Sequence, residues 1–278
     1  MRIAFLMLRH PAERKSPVMP EVHAHLRQWG ARVDIIYLEE QLVDVSRIPI
    51  EYDLYVLKSK TELAFSVAGA LHAAGATILN PYPTSIVLRD KIATFGILHA
   101  AGLPVPETFV ASRVDQLLPL LDDGPLVVKP YRGSGGLGVR VVRTARALEE
   151  AAAPVQPPIF AQRYYEPEGH DRKMYAIGRQ VFGVMRPFPP QTFEEKLGTP
   201  FTVTPELRDI TLRCGAAFGI DAYGVDIVEH GGRPYVVDMS SFPGFKGVPD
   251  AGLRLADYIF AAAERACERG GSRGEAVA

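Results

Sequence analysis

The sequence predicts an α/β (α+β) protein in which an open N-terminal α/β domain precedes two α+β subdomains. Three observations carry this prediction. Short apolar runs alternate with helical patterns through residue 83, a glycine-rich loop at 133–138 lies between two strands, and a Gly-Gly turn at 231–232 joins two apolar strands. With 278 residues and 47% hydrophobic content, the chain is long enough to form two or three compact units.

The first domain is predicted over residues 1–83. Four short apolar runs indicate buried strands of an open sheet, at 3–8, 32–38, 53–59 and 77–80. Helices are expected at about 20–29 and 61–73, with Gly30 and Gly75 near their ends. The segment Asn80-Pro81-Tyr82-Pro83 interrupts the alternation and marks the domain boundary.

A central subdomain is predicted over 84–165 and a C-terminal subdomain over 166–267. The central part begins with a helix at 85–101 and continues as strand, helix, strand, glycine-rich loop, strand, helix and strand. The C-terminal part has paired strands from 172 onward and a proline-rich loop at 187–190. It continues with a helix at about 205–218, the Gly-Gly hairpin and a last helix at about 251–267. Residues 268–278 are predicted to form a flexible tail.

Charge and cysteine content limit the classes of partner and compartment. The net charge of −1 lacks the basic excess of a general nucleic-acid or membrane-surface binder, so neither partner is expected. Cys214 and Cys267 lie outside any metal or redox motif and are expected to be free thiols. The apolar run near the N-terminus is too short for a signal peptide or a membrane span. A cytoplasmic protein is therefore predicted.

The glycine-rich segment is the first candidate for chemistry. A strand delivers Lys129, and glycines at 133, 135, 136 and 138 surround Ser134 before the next strand begins. Glycines let backbone N–H groups approach phosphate oxygens, and the lysine adds positive charge. No GK[ST] sequence follows, so the segment is not a P-loop. It predicts a flap over phosphates, with an exposed hairpin turn as the alternative.

Three further segments carry candidate ligands. Lys91 follows Asp90 at the start of the helix after the boundary, and residues 162–165 form a strand that leads into a polar loop. Two aspartates, Asp226 and Asp238, stand within otherwise apolar strands. Buried carboxylates need a cation, and oxygen ligands suit Mg²⁺. The alternative is a pair of aspartates at strand ends that face water.

These four segments, taken in order over about residues 85–265, resemble the ATP-grasp superfamily. The resemblance implies the ATP-grasp fold, in which the two later subdomains clasp ATP, with ATP and Mg²⁺ (or Mn²⁺) as cofactors. It implies nucleotide-binding roles for the two lysines, the glycine loop, the hinge and a polar position, namely Lys91, Lys129, Gly133, Ser134, Gly135, Gly136, Gly138, Gln162, Arg163, Tyr164, Tyr165 and Asp171. It further implies catalytic roles for Lys173 and Arg186, and metal binding by Asp226, Asp238 and Ser240.

One position departs from the family pattern. Relatives commonly have carboxylate-x-Asn at the second metal motif, whereas this chain has Asp238-Met239-Ser240. A serine hydroxyl is a shorter oxygen ligand than an asparagine amide. The number of bound metal ions therefore stays open.

Three functions remain as alternatives. Length, the D-x-[RK] segment at 171–173 and GVDI at 224–227 resemble RimK-like glutamate ligases, which join a carboxylate to an amine through an acyl phosphate. The segments K-x-Y-x-x-G at 173–178 and D-x-S-x-F-P-G-F at 238–245 resemble inositol-polyphosphate 5/6-kinases. A kinase would hold its acceptor with basic residues such as Arg132, Arg172 and Lys246, beside Lys173 and Arg186. The third alternative is an ATP-binding protein without turnover. The acceptor is expected to be a small molecule, and the apolar first domain is compatible with pairing of two copies.

Overall fold

Three separate sheets organise the protein. The computed structural model describes residues 1–9, 18–133, 136–187, 192, 195 and 197–275, with side chains described up to residue 269. The strand orders are β2-β1-β3-β4, β5-β8-β6-β7 and β11-β10-β9-β12-β13. All pairings in the first sheet are parallel, and all pairings in the other two are antiparallel.

The N-terminal sheet is buried on both faces. Its strands are β1 (Arg2–Met7), β2 (Arg32–Tyr37), β3 (Leu54–Leu57) and β4 (Ile78–Leu79), and its first helices are α1 (Val18–Gln28) and α2 (Glu62–Ala73). Ile3 and Phe5 of β1 pack in one apolar core, whereas Ala4 and Leu6 pack in another on the opposite face. This two-sided burial explains the continuous apolar runs in the sequence. The predicted order of strands and helices is confirmed.

The predicted helix at 85–101 is wrong as a single element, because two helices occupy this region. They are α3 (Tyr82–Val87) and α4 (Lys91–Ala100). The break lies at Asp90, whose backbone is extended and whose carboxylate accepts hydrogen bonds from the backbone N–H groups of Ile92 and Ala93. Such an N-cap starts a new helix. It also fixes Lys91 as the first residue of α4.

The second sheet contains β5 (Thr108–Ala111), β6 (Leu126–Lys129), β7 (Arg140–Val142) and β8 (Ile159–Arg163), with α5 (Ala145–Ala152) packed against it. The helix predicted between β5 and β6 is absent from this described stretch. Two short 3₁₀ helices, Val114–Gln116 and Leu118–Asp123, replace it. A proline at 119 and the Asp-Asp-Gly sequence at 122–124 disfavour a longer α-helix there.

The third sheet is the largest and its two faces have different partners. Its strands are β9 (His170–Ile177), β10 (Gln180–Pro187), β11 (Thr199–Phe201), β12 (Ala222–His230) and β13 (Arg233–Ser241). Helix α6 (Pro205–Phe218) packs with α4 on one face. The apolar half of the other face packs toward the N-terminal sheet. Strand β11 was not predicted, and residues 188–190 of the proline-rich loop lie outside the described residues.

The last helix packs the C-terminal part of the chain against its first helix. Helix α7 (Ala251–Glu275) runs past the predicted end at 267 and packs along α1. A Cβ atom at Gly252 would collide with the side chain of Glu21, so glycine permits this close approach. Leu255 and Ile259 are fully buried in the core that also contains Phe5. In the described part of the chain, no helix is long and apolar enough to cross a lipid bilayer.

Candidate active site

Five charged side chains share one face of the third sheet and form a feature that we call the charged row: Asp171, Lys173, Arg186, Asp226 and Asp238. The strand register pairs them directly, Asp171 with Arg186, Lys173 with Asp226, and Asp226 with Asp238. Residues that are directly opposite in antiparallel strands point to the same face. The sheet therefore brings together residues that are up to 67 positions apart (238 − 171) in the sequence.

Asp226 and Asp238 are the two carboxylates predicted to hold a metal ion. Like charges that are directly opposite in a sheet repel each other, and here each carboxylate has a cationic partner. Lys173 forms an ion pair with Asp226, and Lys91 Nζ lies 3.1 Å from Asp238 Oδ1. Arg186 adds a cation 3.7 Å from Asp226. Both carboxylates are therefore neutralised by side-chain cations in this structure.

The electrostatic surroundings keep Asp238 ionised. Burial alone would raise the pKa of this carboxyl, but Lys91, Lys129 and Lys173 outweigh burial, and the pKa is lowered from 3.8. Ser240 stands opposite Gly224 and two residues from Asp238, hence on the same face. Within the described ranges, no group of three or more acidic, histidine or cysteine side chains is arranged to hold a metal ion. The site thus offers two carboxylates and a hydroxyl, a set that suits a hard cation completed by ligand oxygens.

Lys129 lies at the end of β6 and is the most enclosed lysine of the predicted nucleotide set. Its ammonium donates to Gln162 Oε1 at 2.8 Å and to the Val237 carbonyl oxygen at 3.0 Å. Burial lowers the pKa of Lys129 to about 8, although Asp238 opposes this effect. The side chain is only 8% exposed. A lysine held in this way presents its charge next to Asp238 with little freedom to move elsewhere.

Asp171 and Arg186 form the other end of the charged row. Arg186 Nη2 donates to Asp171 Oδ2 at 2.7 Å. Burial raises the pKa of Asp171 to about 6, the charge of Asp226 adds to this effect, and Arg186 and Lys173 oppose it. The pKa of Arg186 is raised, because Asp226 and Asp171 outweigh its burial. Arg186 is therefore a permanent cation directly beside the Asp226 carboxylate.

The glycine-rich loop begins beside Lys91. The Lys91 N–H donates to the Tyr131 carbonyl oxygen at 2.9 Å, and its ammonium donates to the Gly133 carbonyl oxygen at 3.3 Å. At Gly138, φ is +75° and an added Cβ would lie 2.8 Å from Pro130 Cγ, so only glycine fits there without strain. Gly136 also lies in the loop, whereas Ser134 and Gly135 fall outside the described residues. The backbone thus ties this loop to the N-terminus of α4.

The predicted hinge residues separate onto two faces of β8. Gln162 is fully buried on the face of Lys129 and donates to Thr108 Oγ1 at 3.0 Å. Arg163 points to the other face, where its guanidinium donates to the carbonyl oxygens of Leu120 and Gly124 at 2.9 and 2.7 Å. The Arg163 side chain therefore braces the 3₁₀ segment before β6.

Tyr164 and Tyr165 continue this strand into the polar loop. The Tyr164 N–H donates to the Pro125 carbonyl oxygen at 3.0 Å. Tyr165 stacks on Tyr235 with 4.1 Å between ring centroids and contacts the ring of His230. Both tyrosines are partly exposed. They provide flat apolar surface beside the strand that carries Gln162, which is suitable for an aromatic base.

Sequence reasoning missed two lysines at the carboxyl end of β3. Lys58 donates to the carbonyl oxygens of Phe242 and Pro243 at 3.1 and 2.6 Å, and burial lowers its pKa to about 7. The charges of Asp238, Asp226, Lys173 and Lys91 act on Lys60. A useful signal was present, because Lys58-Ser59-Lys60 directly follows a buried parallel strand. Ligands commonly bind at the carboxyl ends of such strands.

A separate pocket of about 620 Å³ runs along β5, lined by Thr108 to Ser112, Gln116, Leu117 and Leu120. No charged side chain lines it. The charged row, Lys91 and Lys129 contain the groups that can bind phosphate and a metal ion. We therefore assign the chemistry to them and not to this pocket.

Comparison with known proteins identifies similar sequences. Residues 88–262 match the RimK-like ATP-grasp domain, which is more than half of the chain. A protein named probable alpha-L-glutamate ligase 2 from Shewanella frigidimarina is 30% identical over 191 residues, which cover 64% of each chain. The chain thus aligns with slightly less than two thirds of the length of the first relatives it matches.

Solved structures show the same fold at low sequence identity. A RimK domain ATP-grasp protein from Sphaerobacter thermophilus superimposes with a TM-score of 0.73 at 20% identity, over 94% of this chain and 100% of the other. D-alanine–D-alanine ligase from Bacillus anthracis has a TM-score of 0.76 at 20% identity, over 97% and 99% of the two chains. These likenesses establish the ATP-grasp fold that the sequence motifs predicted.

Proposed function

Since this chain belongs to the RimK-like ATP-grasp family, we propose that it is an ATP-dependent ligase with Mg²⁺ (or Mn²⁺) as its metal. It joins a carboxylate to an amine through an acyl phosphate and releases ADP and phosphate. Relatives named alpha-L-glutamate ligases support glutamate or another amino acid as a substrate. The single observation that carries the proposal is the charged row with Lys91 and Lys129 beside it.

Binding of nucleotide and metal is proposed to proceed by exchange of ion-pair partners. In the structure Lys91 neutralises Asp238, and Lys173 neutralises Asp226. A divalent cation would replace the lysines at the carboxylates, and nucleotide phosphates would replace the carboxylates at the lysines. The exchange conserves the number of opposite-charge contacts, so neither the lysines nor the aspartates are left buried and unpaired.

The residues of the charged row have distinct proposed roles. Asp226 and Asp238, with Ser240 beside them, hold the metal ion, which supplies Lewis-acid stabilisation of phosphoryl oxygens. Lys91, Lys129 and the glycine-rich loop hold the β- and γ-phosphates. Arg186 and Lys173 lie next to Asp226, where their charges stabilise the phosphoryl group as it passes to the substrate carboxylate. Catalysis then rests on positioning and electrostatic stabilisation.

The packing of the kinase-like segments favours a ligase over a kinase. Tyr175 and Phe245 carry much of the resemblance to inositol-polyphosphate kinases, and both are nearly fully buried, 4% and 1% exposed. Their ring centroids are 5.5 Å apart within the core shared with the N-terminal sheet. The aromatic parts of the two segments are therefore explained by core packing and do not require a polyphosphate acceptor.

Phosphorus NMR tests the proposed reaction. Protein and Mg-ATP are incubated with amino acids and small carboxylates in one sample and with inositol phosphates and other polyols in another. A ligase yields ADP and orthophosphate only when both a carboxylate and an amine are present. A new phosphomonoester signal without matching orthophosphate would replace the ligase by a kinase, and nucleotide binding without ADP formation would indicate a non-catalytic protein.

Two variants test whether the measured activity comes from this site and not from a contaminating enzyme. Lys129→Ala and Asp238→Asn are each expected to abolish turnover while circular dichroism reports an intact fold. Near-normal activity in either folded variant would contradict the site assignment. Pairing of two copies stays a prediction, which light scattering on the purified protein tests.

A further inference from the structure

Lys60 is held at the carboxyl edge of the N-terminal sheet by its own backbone. Strand β3 ends at Leu57, and the N–H groups of Lys58 and Ser59 both donate to the Leu6 carbonyl oxygen, at 3.0 and 2.8 Å. The Lys60 carbonyl oxygen accepts a hydrogen bond of 2.9 Å from Arg89 Nη1. Helix α2 begins just afterwards at Glu62. Lys60 therefore occupies a short, fixed connection.

This edge abuts the charged row. Lys58 binds the Pro243 carbonyl oxygen at 2.6 Å. A Cβ atom on Gly224 would lie 3.1 Å from Pro243 Cγ and 3.3 Å from Lys173 Cε. Pro243 and the Lys173 stem therefore lie side by side over Gly224, and Lys58, two residues before Lys60, contacts Pro243. On the other side, Arg89 is two residues from Lys91, which pairs with Asp238.

Lys60 differs from the other lysines of the site because its ammonium has no hydrogen-bond or ion-pair partner among the described residues. Within the described part of the chain it donates no hydrogen bond and forms no ion pair, whereas Lys91, Lys129 and Lys173 all do. Its side chain is exposed. Desolvation by the surrounding protein lowers the pKa of Lys60. The charges of Lys173 and Lys91 add to this effect, whereas Asp238 and Asp226 oppose it. Its exposed ammonium is therefore available to an anion.

We propose that Lys60 is an acceptor-binding residue whose ammonium holds a carboxylate of an acidic amino acid or acidic peptide next to Lys173. The inference rests on the proposed ligase function and names the class of acceptor. In this structure Lys91 pairs with Asp238, and Lys129 donates to Gln162 and Val237. Both lysines are proposed to bind nucleotide phosphates. Lys60 lies at the carboxyl edge of the N-terminal sheet, where the charge of Lys173 acts on it. A carboxylate there would be paired without competing for the phosphate-binding lysines.

The test compares acidic acceptors with their amides in charge-altered variants. Lys60→Gln and Lys60→Arg are assayed at saturating Mg-ATP with L-glutamate, L-aspartate and diglutamate, and with L-glutamine, L-asparagine and diglutamine. Arg32→Gln is the matched control, because it removes an exposed charge at the amino end of β2, the opposite edge of the same sheet. Loss of a charge-assisted hydrogen bond is expected to lower kcat/KM for acidic acceptors about 10- to 100-fold in Lys60→Gln.

Three other readouts define the expected result. The KM for ATP stays within about threefold of wild type, Lys60→Arg recovers most of the preference for acidic acceptors, and Arg32→Gln changes nothing. An equal loss for acidic and amide acceptors would overturn the proposal, and so would a rise in the KM for ATP alone. The latter result would move Lys60 to the nucleotide.

A binding experiment keeps the proposal testable if no acceptor is turned over. Glutarate is titrated into wild type, Lys60→Gln and Arg32→Gln, each loaded with Mg-ADP, and its binding is followed by NMR line broadening. Weaker glutarate binding in Lys60→Gln than in Arg32→Gln supports the subsite even if the ligase reaction fails. Equal binding, or none in wild type, refutes it.

Discussion

Replacement of Lys129 by methionine is expected to stabilise the nucleotide-free protein while it weakens nucleotide binding. The pKa of Lys129 falls from 10.5 to about 8 through burial, which corresponds to roughly 3 kcal/mol against the charged form at pH 7. Methionine has a similar length and avoids this cost. It leaves Gln162 Oε1 and the Val237 carbonyl oxygen without their donor, which costs about 1 kcal/mol each.

The net expectation is a stabilisation of about 1 kcal/mol, or a rise in Tm of about 2 °C for a protein of this size. Calorimetry without nucleotide measures this change in stability. Titration calorimetry with Mg-ATP measures the change in nucleotide affinity, for which a loss of at least about 10-fold is expected. Arg146→Met serves as the control, because that side chain is 89% exposed on α5 and its loss should matter little.

The pH dependence of stability provides an independent check, because the direction of the change can be predicted. Between about pH 8 and 10.5 the unfolded chain binds more protons at this lysine than the folded one, so wild-type stability rises with pH in this window. The stability advantage of Lys129→Met over the wild type should therefore become smaller as the pH is raised. A variant that unfolds more easily than wild type by 2 kcal/mol or more, or that keeps its ATP affinity, would refute the reasoning about Lys129.

Three further predictions concern the same protein. Asp238→Asn removes the carboxylate that pairs with Lys91 and should lower kcat roughly 100-fold or more, with no rescue by excess Mg²⁺ in a steady-state assay. Arg163→Leu leaves the carbonyl oxygens of Leu120 and Gly124 without their donor. It should lower the free energy of unfolding by about 2–4 kcal/mol, measured by urea titration, with the Kd for ATP nearly unchanged. ATP affinity of the wild type should fall as the pH rises above about 8, because Lys129 then loses its proton. Calorimetry in buffers of different ionisation enthalpy should detect proton uptake on binding, and a flat affinity from pH 7 to 9.5 would contradict this prediction.

Local sequence patterns predicted the strands well because their burial is two-sided. The runs that became β1 and β3 are apolar at every position that faces either core, and such runs predict buried parallel strands. The helix at 85–101 failed because apolar periodicity continues across the break. The capping role of Asp90 depends on its carboxylate turning back to two N–H groups, and an aspartate before a lysine does not distinguish a cap from a surface charge pair.

Some residues of the candidate site were also predictable from local sequence patterns, and others were not. Motif order predicted that Lys91, Lys129, Asp226 and Asp238 share one site, because each follows or lies within a recognisable strand or helix start. The structure places these four residues close together. The side chain of Arg163 was grouped with Gln162, although neighbouring residues of a strand point to opposite faces. Lys60 belongs to no motif, and its proximity to Asp226 depends on how two sheets meet. Sequence spacing carries no information about that contact.

The packing of α7 against α1 has a consequence for protein synthesis. One face of the N-terminal sheet is covered by Leu255 and Ile259, which lie about 250 residues after β1 (255 − 5 for Leu255 and Phe5). A ribosome adds about 5–20 residues per second, so Phe5 waits roughly 12–50 s for its last partners. During that time the part of this sheet face that α1 does not cover remains open to solvent, and chaperones that bind apolar surface have their best opportunity before α7 emerges.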